Sequence, residues 1–396
     1  MSNELFDIEI DRRQSNSLKW DVAPEELPMW VADMDFRTAP AIRDAIFERA
    51  MHGVFGYATV TDAWYKAYAE WWQTRHDFPI PPEWLIFCTG VVPAISTVVR
   101  KLTTPAEKVV IQTPVYNIFF NSIENNGRRV LECPLRYDET AHSYDIDFSA
   151  LESALSDPQT TLMILCNPHN PVGKIWDRET LARIGELCKK HHVTVISDEI
   201  HCDLTDPGCS YIPFAIVSDV CREISITCLA PSKAFNIAGL NTAAVVVPNE
   251  ALRNRVNRAL NTDEVAEPNA FAIEATVAAF TQGGEWLDEL RQYIFENKQT
   301  VAEFLKKEIP QIALVPSQAT YLLWLDCGSM PGDGTIPMDS TAFASFLREQ
   351  TGLYLSAGAQ YGGHGARFLR MNIACPRKTL LDGLDRLKRG VELYLK

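Results

Sequence analysis

Short apolar runs alternate with amphipathic segments through the middle of this chain. The runs are rich in β-branched residues and are predicted as strands at residues 109–113, 161–166, 193–197, 223–229 and 243–247. The segments between them carry apolar residues at helical spacing, with predicted helices at 91–102, 116–126, 179–191 and 250–261. Strands that are apolar throughout must be buried on both faces. The pattern therefore predicts an α/β fold, with a mostly parallel sheet covered by helices on both faces.

The length of the chain predicts more than one domain. At 396 residues it exceeds the size at which a single hydrophobic core stops growing. We expect a large domain over residues 46–285, which holds the sheet, and a smaller α+β domain over residues 286–396. An N-terminal segment, residues 1–45, is expected to associate with the smaller domain.

Charge and composition exclude several classes of protein. A net charge of −14 argues against nucleic acid or an anionic membrane as the main partner, and no run of about 18 apolar residues occurs. These features predict a cytoplasmic protein. The ten cysteines form no CxxC pair and no metal-ligand spacing, so we expect reduced, mostly structural thiols and no metal site. Cys202 lies beside a candidate site, but a structural role is expected for it too.

Unusual polar residues follow four consecutive predicted strands. Tyr116 follows the first, Asn170 the second, Asp198 the third and Lys233 the fourth. Each one alone also fits a structural role, such as a turn for Asn170 or a helix cap for Asp198. Parallel sheets bind ligands beyond the carboxyl ends of their strands. The four residues together therefore predict one shared crevice.

These residue types suit one cofactor. A lysine in a protected pocket can attack an aldehyde, and a nearby aspartate can keep a ring nitrogen protonated. Asn170 can hydrogen-bond a phenolic oxygen, and Tyr116 can stack on a ring face. Gly90 opens a predicted helix, whose free amides suit a phosphate. Aldehyde, pyridine ring, phenol and phosphate together predict pyridoxal phosphate.

Several motifs resemble a known family over nearly the whole chain. NPHNPVG, SDEIH and SKAFNIAGL, in this order, resemble the fold type I pyridoxal-phosphate enzymes of aminotransferase class I/II. LPMWVADMDF (27–36), FGY (55–57) and FLRMNIACPR (368–377) are similar to the cystathionine β-lyase branch, the carbon–sulfur lyases of the MalY/PatB type.

The resemblance implies a role for each residue around the cofactor ring. Lys233 matches the lysine that forms a Schiff base with the cofactor and acts in catalysis. Asp198 matches the partner of the pyridine nitrogen, and Tyr116 the stacking aromatic. Asn170 matches the residue that bonds the phenolic oxygen. His201 stands where many relatives have a tyrosine with the same role.

Further matches concern the phosphate, the substrate and a second subunit. Three residues match phosphate-binding positions: Gly90, Val91 and Ser232. Tyr57 matches a tyrosine that reaches the phosphate of the neighbouring subunit, which implies a homodimer with shared sites. Arg370 matches the arginine that binds the substrate α-carboxylate, a task suited to its bidentate fork.

The resemblance implies a lyase that cleaves the Cβ–S bond of cystathionine or a related cysteine conjugate and yields a thiol, pyruvate and ammonia. The alternative is an aminotransferase. Relatives of that type usually carry a serine three residues before the lysine and an arginine eight after it. Here those positions hold Ala230 and Asn241, which favours the lyase. A ligand-sensing regulator with a DNA-binding partner domain is a third alternative, and the acidic charge disfavours it.

Overall fold

The computed structural model describes residues 5–331 and 339–396. The helices of these residues are α1 (Pro40–His52), α2 (Asp62–His76), α3 (Val91–Leu102), α4 (Ile118–Glu124), α5 (Phe148–Leu155), α6 (Arg178–Lys190), α7 (Asp219–Ile224), α8 (Glu250–Thr262), α9 (Ala272–Gln282), α10 (Gly284–Glu308), α11 (Ser340–Thr351) and α12 (Arg377–Tyr394). The strands are β1 (Leu27–Pro28), β2 (Leu85–Cys88), β3 (Lys108–Ile111), β4 (Arg129–Glu132), β5 (Arg136–Asp138), β6 (Ser143–Asp145), β7 (Thr160–Cys166), β8 (Thr194–Asp198), β9 (Ser225–Leu229), β10 (Ala243–Val246), β11 (Ala313–Leu314), β12 (Leu322–Asp326), β13 (Leu353–Tyr354), β14 (Ser356–Ala357) and β15 (Phe368–Asn372).

A seven-stranded sheet forms the centre of the large α/β part. Its strand order is β2-β10-β9-β8-β7-β3-β4, and the pairs from β9 to β4 are parallel. Only β10, in this sheet, runs antiparallel to both of its neighbours. The predicted fold class, a mostly parallel sheet, is confirmed.

Both faces of this sheet are buried over its central strands β7, β8, β9 and β10, in which nearly every residue is buried. Side chains alternate between the faces along a strand. Val109 and Ile111 pack in the core with α3, α4 and α8, whereas Val110 packs in the core with α5, α6 and α7. The helices therefore cover the sheet on both sides, as the apolar runs predict.

A smaller antiparallel sheet accompanies the C-terminal helices. Its strand order is β11-β12-β15-β14. The N-terminal segment joins this part of the chain, since β1 pairs in parallel with β13 through Leu27 and Leu353. The domain limits at residues 45 and 285 stay a prediction.

The cysteines are free thiols, and all but Cys209 are buried. Cys202 is among the buried ones, at 2% exposure. Among the helices of the described residues, none combines the length and the apolar character that crossing a membrane requires.

Candidate active site

The carboxyl ends of four neighbouring strands meet along one edge of the large sheet. Strands β3, β7, β8 and β9 lie side by side, so the segments that follow them are also neighbours. Tyr116, Asn170, Asp198 and Lys233 all line one cavity of about 250 Å³ at this edge. The predicted shared crevice is therefore present, with all four side chains on its wall.

The other predicted site residues divide into three groups. Four more line the same cavity: Gly90, Val91, His201 and Ser232. Arg370, on β15 of the small sheet, reaches the cavity wall by donating from Nη1 to Oδ1 of Asn170 at 3.2 Å. Tyr57 lies apart from them and is fully exposed in the single chain, at 102%.

Lys233 borders the cavity with an amine that is easily deprotonated. Its Nζ donates a hydrogen bond to the backbone carbonyl of Ala32 at 2.6 Å. Burial, together with the positive charge of Arg370, lowers the pKa of the Lys233 amine to about 8, against the opposing effects of Asp33 and Asp198. Because a neutral amine is both a nucleophile and a base, this environment prepares Lys233 for covalent or proton-transfer chemistry.

Asp198 supplies a buried negative charge at the end of β8. Its carboxylate accepts a hydrogen bond from the backbone N–H of Ile200 at 3.2 Å. Burial raises the pKa of Asp198 to about 6, while the Ile200 hydrogen bond and Lys233 act in the opposite direction. A carboxylate that is buried but still ionised at neutral pH is suited to hold a cationic ring nitrogen.

His201 is a neutral, buried side chain that lines the same cavity. Burial, together with the positive charges of Lys233 and Arg370, lowers the pKa of His201 to about 3. Its Nδ1 is buried and has no hydrogen-bond partner among the described residues. A neutral imidazole in this position can offer one N–H to a ligand oxygen.

Arg370 is held in place by contacts with three other segments of the chain. Besides Asn170, its Nη2 donates to the backbone carbonyl of Trp30 at 2.9 Å, and its guanidinium lies 4.9 Å from the ring centre of Tyr361. Its Nε is buried and has no partner among the described residues. A fixed guanidinium with spare donor capacity is suited to bind a carboxylate.

An N-terminal strap, residues 29–36, lies against Lys233 and Arg370. The side chain of Asn236, three residues after Lys233, accepts from the N–H of Met34 at 3.0 Å and donates to two strap carbonyls. Asn372 of β15 donates to the carbonyls of Val31 and Asp33, both at 2.6 Å. The strap therefore brings main-chain carbonyls to the site, including that of Ala32.

The start of α3 forms another part of the cavity wall. Gly90 precedes the helix, and a Cβ atom built there would lie 3.1 Å from the side chain of Pro93. Free amides and the helix dipole favour an anion at such a terminus. Ser232 and Asn241 line the same cavity and add neutral donors. Asn241 thus lies at the site in the position where aminotransferases usually have an arginine.

Together these groups fit pyridoxal phosphate. The unpartnered Nδ1 of His201 and Nε of Arg370 show that buried polar atoms of the wall are free to meet a ligand. The lysine amine suits the aldehyde, the Asp198 carboxylate suits the ring nitrogen, and the start of α3 suits the phosphate. The aldehyde, the ring nitrogen and the phosphate of the cofactor thus each have a matching group on the cavity wall.

The chain was compared with known proteins. Residues 27–387 match the family of aminotransferase class I and II. Cystathionine beta-lyase PatB of Bacillus subtilis (strain 168) is 43% identical over 392 residues, which cover 98% of this chain and 99% of that protein. Protein MalY of Escherichia coli (strain K12) is 34% identical over 397 residues, with coverage of 98% and 99%.

A solved structure is similar over the same extent. The crystal structure of cystalysin from Treponema denticola, which contains a pyridoxal 5'-phosphate cofactor, superimposes with a TM-score of 0.92. The two sequences are 32% identical, and the match covers 99% of each chain. The resemblance drawn from the motifs is confirmed: the chain belongs to the aminotransferase class I and II family, and its full-length relatives include cystathionine β-lyases.

Proposed function

We propose that this protein is a pyridoxal-phosphate-dependent carbon–sulfur β-lyase. It cleaves the Cβ–S bond of cystathionine or a related cysteine S-conjugate and yields a thiol, pyruvate and ammonia; the thiol from cystathionine is homocysteine. The observation that carries the proposal is the placement of Lys233 and Asp198 on one cavity wall, with Arg370 bonded to Asn170 of the same wall. The full-length identity of 43% to a cystathionine β-lyase supports the same reaction.

Each cofactor group has residues that would hold it. Asp198 would hold the ring nitrogen, Asn170 and His201 would hold the phenolic oxygen, and Tyr116 would stack on the ring. Three residues of the same cavity would hold the phosphate: Gly90, Val91 and Ser232. When bound, pyridoxal phosphate supplies an electron sink next to the Cα atom of an amino acid.

The residues of the chain perform binding and proton transfer. Arg370 binds the substrate α-carboxylate and so points the Cα–H bond toward Lys233. The neutral Lys233 amine removes the Cα proton as a general base, while Asp198 keeps a proton on the ring nitrogen. The Cβ–S bond then breaks, and its electron pair leaves with the sulfur as a thiolate. The unsaturated amino acid that remains is released and hydrolyses to pyruvate and ammonia.

A direct comparison of two reactions tests this proposal against the aminotransferase alternative. The purified protein is incubated with cystathionine, and separately with an amino acid plus 2-oxoglutarate. We expect pyruvate and a free thiol from the first mixture, at an initial rate at least about 100-fold above keto-acid exchange in the second. Faster exchange than elimination would identify an aminotransferase.

We also propose that the enzyme is a homodimer in which Tyr57 completes the site of the partner subunit. Four apolar side chains shortly before it in the chain are each more than half exposed: Phe47, Met51, Val54 and Phe55. So many exposed apolar side chains in one short segment favour an interaction surface there. Tyr57 follows them, is itself fully exposed and carries a hydroxyl that can donate to a phosphate.

Mixed subunits test the shared site. A dimer of one Lys233→Ala and one Tyr57→Phe subunit contains one site with Lys233 and a partner Tyr57 both intact. After random exchange, we expect about a quarter of all sites to be intact, and activity to rise to about that fraction of the wild-type value. Pyruvate release is measured before and after exchange, which mass spectrometry confirms. Mixed dimers without any gain in activity would refute the shared site.

The cytoplasm is the compartment that we propose for this enzyme. All ten of its cysteines are free, and nine of them are buried. Free thiols persist in a reducing compartment, whereas an oxidising one favours disulfides. The cysteine chemistry therefore supports a cytoplasmic location.

A further inference from the structure

Tyr321 shares a hydrogen-bond acceptor with Lys233. The backbone carbonyl of Ala32 accepts from Nζ of Lys233 at 2.6 Å and from the hydroxyl of Tyr321 at 3.0 Å. Tyr321 is fully buried, at 0% exposure, and is not among the residues that line the cavity. Its hydroxyl reaches the site through the carbonyl of Ala32.

The backbone before Tyr321 is held in an unusual conformation. Thr320 has φ of +68°, in the left-handed region that β-branched residues rarely adopt. Its N–H donates to the carbonyl of Leu204 at 2.7 Å, and its hydroxyl accepts from the N–H of Leu322 at 3.1 Å. Such outliers persist where the surrounding contacts fix them, and they cluster at functional sites.

This strained turn is anchored to the loop that carries Asn170. The N–H groups of Gln318 and Ala319 both donate to the carbonyl of Gly173, at 2.8 and 3.1 Å. The ring of Tyr321 also meets that of His201 edge to face, with 6.3 Å between their centres. Tyr321 is thus aimed at Ala32 by elements that also build the cofactor site.

We propose that Tyr321 is a positioning residue for the catalytic lysine. Its hydroxyl fixes the Ala32 carbonyl on which the Lys233 amine rests whenever that amine is not covalently bound. The inference rests on the proposed role of Lys233 as the base at Cα. In that step the amine is free, and an N–H donated to Ala32 leaves its lone pair directed toward the cavity.

The shared carbonyl also affects the charge of the lysine. Two donors compete for one oxygen, so the Tyr321 hydroxyl weakens the hydrogen bond by which Ala32 stabilises a Lys233 ammonium. The other charged groups that face the amine are Arg370 from β15, Asp33 from the strap and Asp198 from β8. None of these changes when the hydroxyl is removed. Tyr321→Phe should therefore raise the pKa of Lys233.

The first test follows the free amine without using enzyme activity. Full-length protein is stripped of cofactor, and the rate at which added pyridoxal phosphate becomes bound is followed by visible absorbance across about pH 6.5 to 9.5. We expect the rate to rise as Lys233 loses its proton, with a midpoint near 8 in the wild type. In Tyr321→Phe we expect this midpoint to move up by about half a pH unit or more. Free pyridoxal phosphate also changes its protonation over this pH range, but it does so equally for all variants, so the difference between two midpoints reports the protein.

Tyr68→Phe is the matched control. Its hydroxyl is also fully buried, but it has no hydrogen-bond partner among the described residues. We expect the midpoint of its pH dependence to equal that of the wild type. A midpoint in Tyr321→Phe that is unchanged, lower, or equal to that of Tyr68→Phe would overturn the proposal.

The second test measures proton transfer in the loaded protein. Alanine has no leaving group at Cβ, so exchange of its Cα hydrogen for deuterium reports removal of the proton alone. NMR should show this exchange slowed about tenfold or more in Tyr321→Phe, with KM for alanine within about twofold of the wild type. Equal exchange rates would contradict the positioning role. Wild-type exchange without lyase activity would instead refute the proposed function and leave this inference standing.

Discussion

Lys233→Ala is expected to lower pyruvate release from cystathionine by about four orders of magnitude or more. The substitution removes the group that binds the aldehyde of the cofactor and the base that takes the Cα proton. The fold should survive, because Lys233 borders a cavity and its acceptor, the carbonyl of Ala32, still receives the hydroxyl of Tyr321. Pyruvate assays measure the loss of turnover, visible absorbance measures the loss of the lysine-bound cofactor, and thermal unfolding tests whether the fold survives.

Lys233→Arg is the control that tests whether positive charge alone, without a nucleophilic and basic amine, supports the reaction. A guanidinium keeps the positive charge but stays protonated at any working pH, so it can serve neither as nucleophile nor as base. We expect this variant to be as inactive as Lys233→Ala. If either variant kept the visible absorbance of the lysine-bound cofactor and normal turnover, another residue would have to carry both roles.

The second large effect is expected at Asp198. Asp198→Asn keeps the size of the side chain but removes the charge that holds a proton on the ring nitrogen. The electron sink is then weaker, and elimination should slow by about three orders of magnitude. The cofactor should remain attached through Lys233, so the protein should keep a visible absorbance, unlike Lys233→Ala. Steady-state kinetics on protein of matched cofactor content measures the loss.

Asp198→Glu tests whether charge is the cause. A longer carboxylate retains the negative charge, so part of the rate should return relative to Asp198→Asn. Turnover in Asp198→Asn close to that of the wild type would show that a different group protonates the ring.

Much of the central sheet could be predicted from the sequence, because buried strands are short and apolar throughout. The run at 161–166 became the strand Thr160–Cys166, and the helix predicted at 91–102 has those limits in the structure. The run at 243–247 also became a strand, but it is antiparallel to its neighbours. Apolar composition cannot distinguish strand directions when both faces are buried.

The site was predictable where side chains follow strands, and less so elsewhere. Asn170, Asp198 and Lys233 stand out as polar residues after apolar runs, and the sheet topology brings them together. Ala32 contributes a main-chain carbonyl, which no side-chain pattern reveals. Tyr321 precedes the apolar run LLWL and reads as a core aromatic. Its role depends on the turn at Thr320, whose positive φ is visible only in the structure.

The product balance of a single reaction tests the central claim most directly. Cystathionine is incubated with the purified, cofactor-loaded protein in the absence of any keto acid, and homocysteine, pyruvate and ammonia are measured over time. Cleavage of the Cβ–S bond followed by hydrolysis predicts that all three accumulate in equal amounts over many turnovers. A reaction that stops after about one turnover per site, with the amino group left on the cofactor, would contradict the lyase and indicate transamination.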